Sequence, residues 1–373
     1  MSGNQLIYLG AREIVRKIQL KEVSPLEVLD AAVLRIEEVN PRVNALPILC
    51  IDRARDRAEK LTQAIVSGTD CGPLCGLPIA VKDYNDIAGV RTTYGSPIFE
   101  EHVPSRSDAT VSKLETAGAI PIGKSNVPEW AGAHTFNPLF GHTLNPWDGK
   151  LSAGGSSGGS AAALATGMVW LATGNDLGGS LRVPASFNGV VGLRPSPGRV
   201  ARGSRLPAFD TLWVEGPMAR CVADVALMLD GLVGGSPEDP LAFEDVGPTF
   251  IDQLDSTRLP RKVGFSPDLG IVPMEPEVSE VCADAAERFA ELGADVHHDC
   301  PDFSGAIEAF QTLRALLIAD MMEPILDSHR EEIAPEIIWN IEKGLAVTSD
   351  ELRDAERIRR QIYYRIVRYF EDY

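Results

Sequence analysis

The chain has 373 residues, 44% of them hydrophobic and 24% charged, which is ample for a large core in one or two domains. Its formal charge of −18 is the wrong sign for a surface that grips phosphates directly, so nucleic acid is excluded as a direct partner. No apolar stretch reaches the ~18–20 residues of a membrane span, no basic start precedes an apolar N-terminal run, and six cysteines in so long a chain make no disulfide framework; a cytoplasmic protein without membrane contact is expected.

In chain order, Ser24-Pro25-Leu26-Glu27 supplies an N-cap, a proline at the first helical position and a capping-box glutamate. Leu29, Val33 and Ile36 continue it as a helical stripe. A second helix is predicted over Asp52–Val66, stopped by Gly68. Strands are predicted at Pro78–Val81, Ile120–Ile122 and Met168–Ala172, with a helix over Asp108–Thr116 ended by Gly118. Further on, Lys262–Phe265 and Ala294–His297 read as strands around a helix at Glu277–Leu292. Thr348 and Glu351 cap a last helix carrying Leu352, Ile358, Ile362, Ile366 and Phe370. This alternation predicts an α/β sandwich around a largely buried sheet. The organisation expected is a single domain: a helical arm over 1–70, a core over 71–235, and a variable second half over 236–373 beyond the Gly/Pro/acid-rich stretch 234–245.

Three polar side chains sit where ordinary packing does not ask for them. Lys82 ends the apolar run Leu77–Val81, where burial lowers a lysine's pKa toward that of a usable base. Ser156 lies in GGSSGGS (154–160), a run whose glycines free the backbone around it. Ser180 ends Asn175-Asp176-Leu177-Gly178-Gly179, whose N–H groups suit an oxyanion. The pattern reads as a serine hydrolase with lysine as its base.

From Lys82 to Gly198 the sequence resembles the amidase signature family, hydrolases with a Ser–Ser–Lys triad. The resemblance rests on Leu77-Pro78-Ile79-Ala80-Val81-Lys82-Asp83, on GGSSGGS, and on the turn to Ser180, which follows Ser156 by 24 residues. Lys124-Ser125-Asn126-Val127-Pro128-Glu129, Phe140–Trp147 and Val191–Ser196 agree with it, and weaker similarity runs to the last residue. It implies a sandwich with a central mixed sheet covered by helices, and a cis peptide bond before Ser156. In the resembled family the last helix leads into a further core strand, so the chain is expected to be short of a complete sheet and pocket.

The roles so implied are Ser180 as nucleophile, Ser156 as proton relay and Lys82 as neutral general base. Leu177, Gly178 and Gly179 are the oxyanion donors, and Asp176, Arg182 and Ser157 support them. Ser157 and Ser160 are expected to hydrogen-bond locally at a helix start, and Asp83 to be structural. The activity implied is hydrolysis of a carboxylic amide through an acyl-enzyme, on a small-molecule substrate, with no metal or organic cofactor and with a homodimer allowed. Alternatives are the glutaminase subunit of a tRNA-dependent amidotransferase, or a folded but inactive homologue. The GxSxG pattern Gly154–Gly158 also fits a nucleophile elbow, but only His297, His298 and His329 follow it, in no triad-like loop. Cys71 with Cys75, and His297, His298 and Cys300, make no convincing zinc set. His134 and His142 either line the pocket or satisfy buried carbonyls. The glycine loop has no Walker lysine or dinucleotide fingerprint beside it.

Overall fold

The computed structural model describes residues 3–203, 206–244, 247–255 and 259–373. Its strands in chain order are β1 (Ile48–Leu49), β2 (Pro78–Lys82), β3 (Ile120–Ser125), β4 (Phe136–Asn137), β5 (Gly141–His142), β6 (Leu171–Asp176), β7 (Val191–Gly192), β8 (Val214–Ala219), β9 (Lys262–Phe265) and β10 (Asp295–His298). Six of them form one sheet in the order β1-β3-β2-β6-β8-β7. β2 runs parallel to β3 and β6, while β8 is antiparallel to β6 and β7, and β1 to β3. β2, β3, β6 and β8 are buried along their whole length, as strands covered on both faces must be. The result is the mixed, helix-covered α/β sheet that the sequence led us to expect.

The helices begin and end for local reasons. At Pro25–Val43 the Ser24 hydroxyl accepts from the Glu27 N–H, and Glu27 Oε2 accepts the Ser24 N–H at 2.8 Å, a complete capping box. Its inner face buries Val28, Leu29, Ala32, Ile36 and Val39. The next two run from Ile51 to Val66 and from Ala109 to Thr116, close to their predicted bounds. The strand expected at Met168–Ala172 lies later, at Leu171–Asp176. Met168, Val169 and Trp170 are core residues that return the chain from the helix Gly158–Ala165. The ladder itself starts at Leu171, opposite Ala219, and runs on through the polar Thr173, Asn175 and Asp176. Its apolar signal stops before the strand does, because the strand end carries polar side chains into the interior.

The chain divides into two compact units, Met1–Leu254 with Asp327–Ile337, and Asp255–Leu326 with Ile338–Tyr373. The first holds the six-stranded sheet and the main hydrophobic cluster, from Leu6 to Leu232. The second holds the parallel pair β9–β10, in register from Asp295 opposite Lys262, and the capped helix Ser349–Tyr369. Among the described residues, no helix is long and apolar enough to cross a membrane.

Candidate active site

Lys82 is the last residue of β2 and is fully buried. Its backbone N–H donates to Thr173 Oγ1 of β6 at 2.8 Å, which fixes the strand end. The side chain then meets three oxygens: Ser156 Oγ at 2.7 Å, Ser157 Oγ at 2.8 Å and Asn175 Oδ1 at 2.6 Å. Burial disfavours the charged amine and brings its pKa down to about 7, against the pull of Glu215 and Asp176. A lysine so placed has its neutral amine substantially populated in neutral solution, where a free lysine is almost wholly protonated.

The two serines reach Lys82 from a loop that is itself locked. The Gly155–Ser156 peptide bond is cis, as the resemblance implied. The Gly154 carbonyl accepts from the Thr135 N–H at 3.0 Å and from its hydroxyl at 2.9 Å, and Thr135 Oγ1 takes the Gly158 N–H at 3.0 Å. A Cβ on Gly155 would lie 2.7 Å from the Ala133 carbonyl oxygen and 2.9 Å from His134 Cα, so only glycine fits there. Ser157 departs from expectation. Its hydroxyl serves Lys82 and caps no helix. Ser160 does not bond locally either; it pairs with Ser125 Oγ at 2.7 Å and donates to the Thr173 carbonyl at 2.8 Å. The buried amine and the sheet supply stronger partners than the first helical turn.

Ser180 lies on the turn after β6, partly exposed, and its carbonyl accepts the Ser157 N–H at 3.3 Å. That bond ties the turn to the serine loop. Gly179 sits at φ +116°, a conformation that favours glycine. Its N–H donates to Asp176 Oδ1 at 2.8 Å. Among the described residues, no acceptor meets the N–H of Leu177, Gly178 or Ser180.

Asp176 organises this turn. It is fully buried and also accepts from the Leu181 N–H at 3.2 Å, from Arg182 Nε at 3.0 Å and from Arg194 at 3.1 Å. Burial works against its charge, but the Arg182 and Gly179 hydrogen bonds and the charges of both arginines hold the carboxyl below the usual range. Asp176→Ala would strand two N–H donors and unpair two guanidiniums. A loss of about 3 kcal/mol is expected, each orphaned donor costing about 1–3 kcal/mol. Urea unfolding of the variant beside the native chain measures it, and an unchanged midpoint would remove Asp176 from this role.

The other candidates have partners of their own. Asp83 is buried with Lys124 at 3.3 Å and accepts from Thr93, a structural ion pair. His134, Phe136 and His142 form an exposed ring stack at the β4–β5 hairpin, with Phe136 and His142 centroids 4.4 Å apart, and among the described residues neither histidine ring hydrogen-bonds a buried carbonyl. His297 pairs with Asp295 at 2.9 Å, and His298 packs edge-on against Phe265. Sequence reasoning missed Thr173 and Asn175 as partners of Lys82, and missed Glu215 on β8, whose carboxylate accepts from Trp213 Nε1 at 3.0 Å and Asn85 Nδ2 at 3.2 Å. The legible signal was polar residues inside wholly buried strands.

Known proteins share this fold. A bacterial aryl acylamidase of the amidase signature enzymes superposes with a TM-score of 0.90 at 28% identity, covering 98% of this chain and 78% of that one. A 6-aminohexanoate cyclic dimer hydrolase gives 0.89 at 26% identity over 98% and 77%. By sequence the chain is similar to one subunit of the glutamyl-tRNA(Gln) amidotransferase of Carboxydothermus hydrogenoformans, 39% identical over 78% of this chain and 60% of that protein. An acylamidase of Rhodococcus erythropolis is 37% identical over 83% and 65%. The chain thus spans about three-fifths of the length of the curated relatives it matches. The Amidase family's sequence model matches residues 27–373, and the chain belongs to the amidase signature family.

Proposed function

We propose that the protein hydrolyses a carboxylic amide through an acyl-enzyme on Ser180. The observation that carries this reading is the buried amine of Lys82, 2.7 Å from Ser156 Oγ, in a loop hydrogen-bonded to the Ser180 turn. A neutral lysine has two N–H bonds and one lone pair. Asn175 Oδ1 can only accept, so it takes one N–H, and Ser157 Oγ takes the other. The lone pair is then left for the Ser156 hydroxyl.

In acylation the Ser180 hydroxyl gives its proton to Ser156 Oγ, while the Ser156 proton passes to Lys82 Nζ. The Ser180 oxygen bonds to the amide carbon, and the carbonyl electrons move onto oxygen. The N–H groups of Leu177 and Gly178 receive that oxyanion; Gly179, expected as a third donor, gives its N–H to Asp176 and sets the turn instead. The oxyanion then re-forms the carbonyl as the C–N bond breaks, and the leaving amine takes the proton back from Lys82 through Ser156. Water next gives a proton along the same relay as it attacks the ester, and the departing Ser180 oxygen recovers it.

The names of the amidotransferase relatives favour a second reading, in which the chain serves as the glutamine-cleaving component of a larger assembly. A panel of aryl, alkyl and primary amides that includes glutamine tests both. Turnover of simple amides by the purified chain is the expected result. Turnover of glutamine alone, and only with a co-purifying polypeptide, would favour the second reading, and turnover of none would overturn the first.

A further inference from the structure

A buried carboxyl group lies beneath the amine and has no part in the relay. Glu215 stands directly opposite Asn175 in the β6–β8 ladder, so both side chains rise from one face of the sheet. Thr173, two residues earlier, shares that face. Its hydroxyl takes the Lys82 N–H and reaches Asn85 Oδ1 at 3.3 Å, while Asn85 Nδ2 donates to Glu215 Oε2. Asn175 binds the amine through Oδ1, and its own Nδ2 is buried without a partner among the described residues. These contacts make one buried polar layer from Lys82 to Glu215. A carboxyl in an interior strand carries a desolvation cost that an apolar residue would avoid, and that a neutral acceptor for the same two donors would lessen.

Burial pushes the Glu215 carboxyl above the usual carboxylate range, while its two hydrogen bonds and the charge of Lys82 pull the other way and favour the ionised form. Both oxygens accept, one from Trp213 Nε1 and the other from Asn85 Nδ2, and both donors are neutral. That is the pattern of an ionised carboxylate. The charged and titratable groups acting on Lys82 are Glu215 from β8 and Asp176 from the end of β6, with the Tyr84 ring 4.9 Å from Nζ. Asp176 is answered by Arg182 and Arg194. Around Glu215 the charged groups are Lys82 and the like-charged Asp108.

We propose that Glu215 is a positioning residue for Lys82: its carboxylate is the buried counter-charge for the ammonium that Lys82 becomes while the tetrahedral intermediate exists. The inference rests on the Ser–Ser–Lys reading given above. On that reading the relay creates a cation on a fully buried side chain, and three neutral oxygens solvate it without balancing it. Glu215, at the far end of that polar layer and joined to Lys82 through Thr173 and Asn85, balances it without touching it. A carboxylate in direct contact would hold the proton and spoil the base.

The test follows the rate of fluorophosphonate labelling of Ser180 in the full chain, native and variant, from mildly acidic to alkaline pH. Glu215→Gln keeps the size of the side chain and removes its charge. The acid limb is expected to move to lower pH by about one unit, a tenfold weaker hold on the proton, with a several-fold lower plateau. A limb that stays in place, or moves up, overturns the proposal and leaves Glu215 a structural residue, even where the plateau falls. Should circular dichroism show that Glu215→Gln does not fold, Trp213→Phe takes its place. That variant removes the N–H on Oε1, together with part of the ring that packs against Tyr84, and weakens the carboxylate, so a smaller shift in the same direction is expected, and an unchanged limb again overturns the proposal. Native protein that labels elsewhere than Ser180, or with no acid limb, would instead sink the Ser–Ser–Lys reading itself.

Discussion

Ser180→Ala is expected to lower amide turnover about 10⁶-fold, the loss a serine hydrolase shows without its nucleophile. Covalent labelling by a fluorophosphonate should vanish with it. The fold should not suffer: Ser180 is partly exposed and its hydroxyl has no hydrogen-bond partner among the described residues, so stability should stay within about 0.5 kcal/mol. The turn is held by Asp176 and by the Ser180 carbonyl, both of which survive the change. The control is Ser156→Ala, which removes the hydroxyl bonded to Lys82, the proposed relay, and leaves Ser180 in place. It should still label at Ser180, more slowly, by about 10²–10⁴-fold, the usual worth of a positioned proton carrier. Mass spectrometry of the labelled peptide decides the matter. A label on Ser156 in the native chain would mean that the Gly154–Gly158 elbow is the reacting centre and that the roles are reversed.

Much of this site was legible because its residues violate local expectation. A lysine at the end of an apolar strand, and serines amid glycines where an ordinary helix start would carry one cap, are conflicts between pattern and packing. Capping boxes at Ser24 and Thr348 were legible for the opposite reason, since cap and partner lie within one turn of sequence. What stayed hidden depends on contacts far apart in the chain. Nothing near Thr173 or Asn175 shows that β6 will lie beside Lys82, because a parallel pairing is decided by helices and crossovers between the strands. Glu215 reads locally as a polar residue on a modest strand; only the pairing with β6 brings it under the amine. The same limit explains Ser157 and Ser160, which local rules assign to a cap and the tertiary fold gives to Lys82 and Ser125.

Lys82→Arg should all but abolish turnover, by about 10³-fold or more, because a guanidinium stays protonated at every usable pH and cannot take the Ser156 proton. Lys82→Met, of similar length and without charge, should be as inactive, which separates loss of the base from the strain of a larger cation. In the native chain the pH profile follows the direction of the shift. Burial lowers the lysine to about 7, and the base works only when deprotonated. Turnover should therefore fall about tenfold per pH unit on the acid side and flatten above the working value. Stability carries the same signature. From about 7 in the folded chain to about 10.4 in the unfolded one, only the unfolded chain holds the proton, so the stability contributed by this group rises with pH across that window. Lys82→Met should lose both the acid limb and that rise, measured by the pH–rate profile and by urea unfolding at several pH values. A Lys82→Arg enzyme with near-native turnover in neutral solution would exclude Lys82 as the base. The Ser156 relay would then have no acceptor, since the Lys82 amine is the basic group that its hydroxyl meets among the described residues.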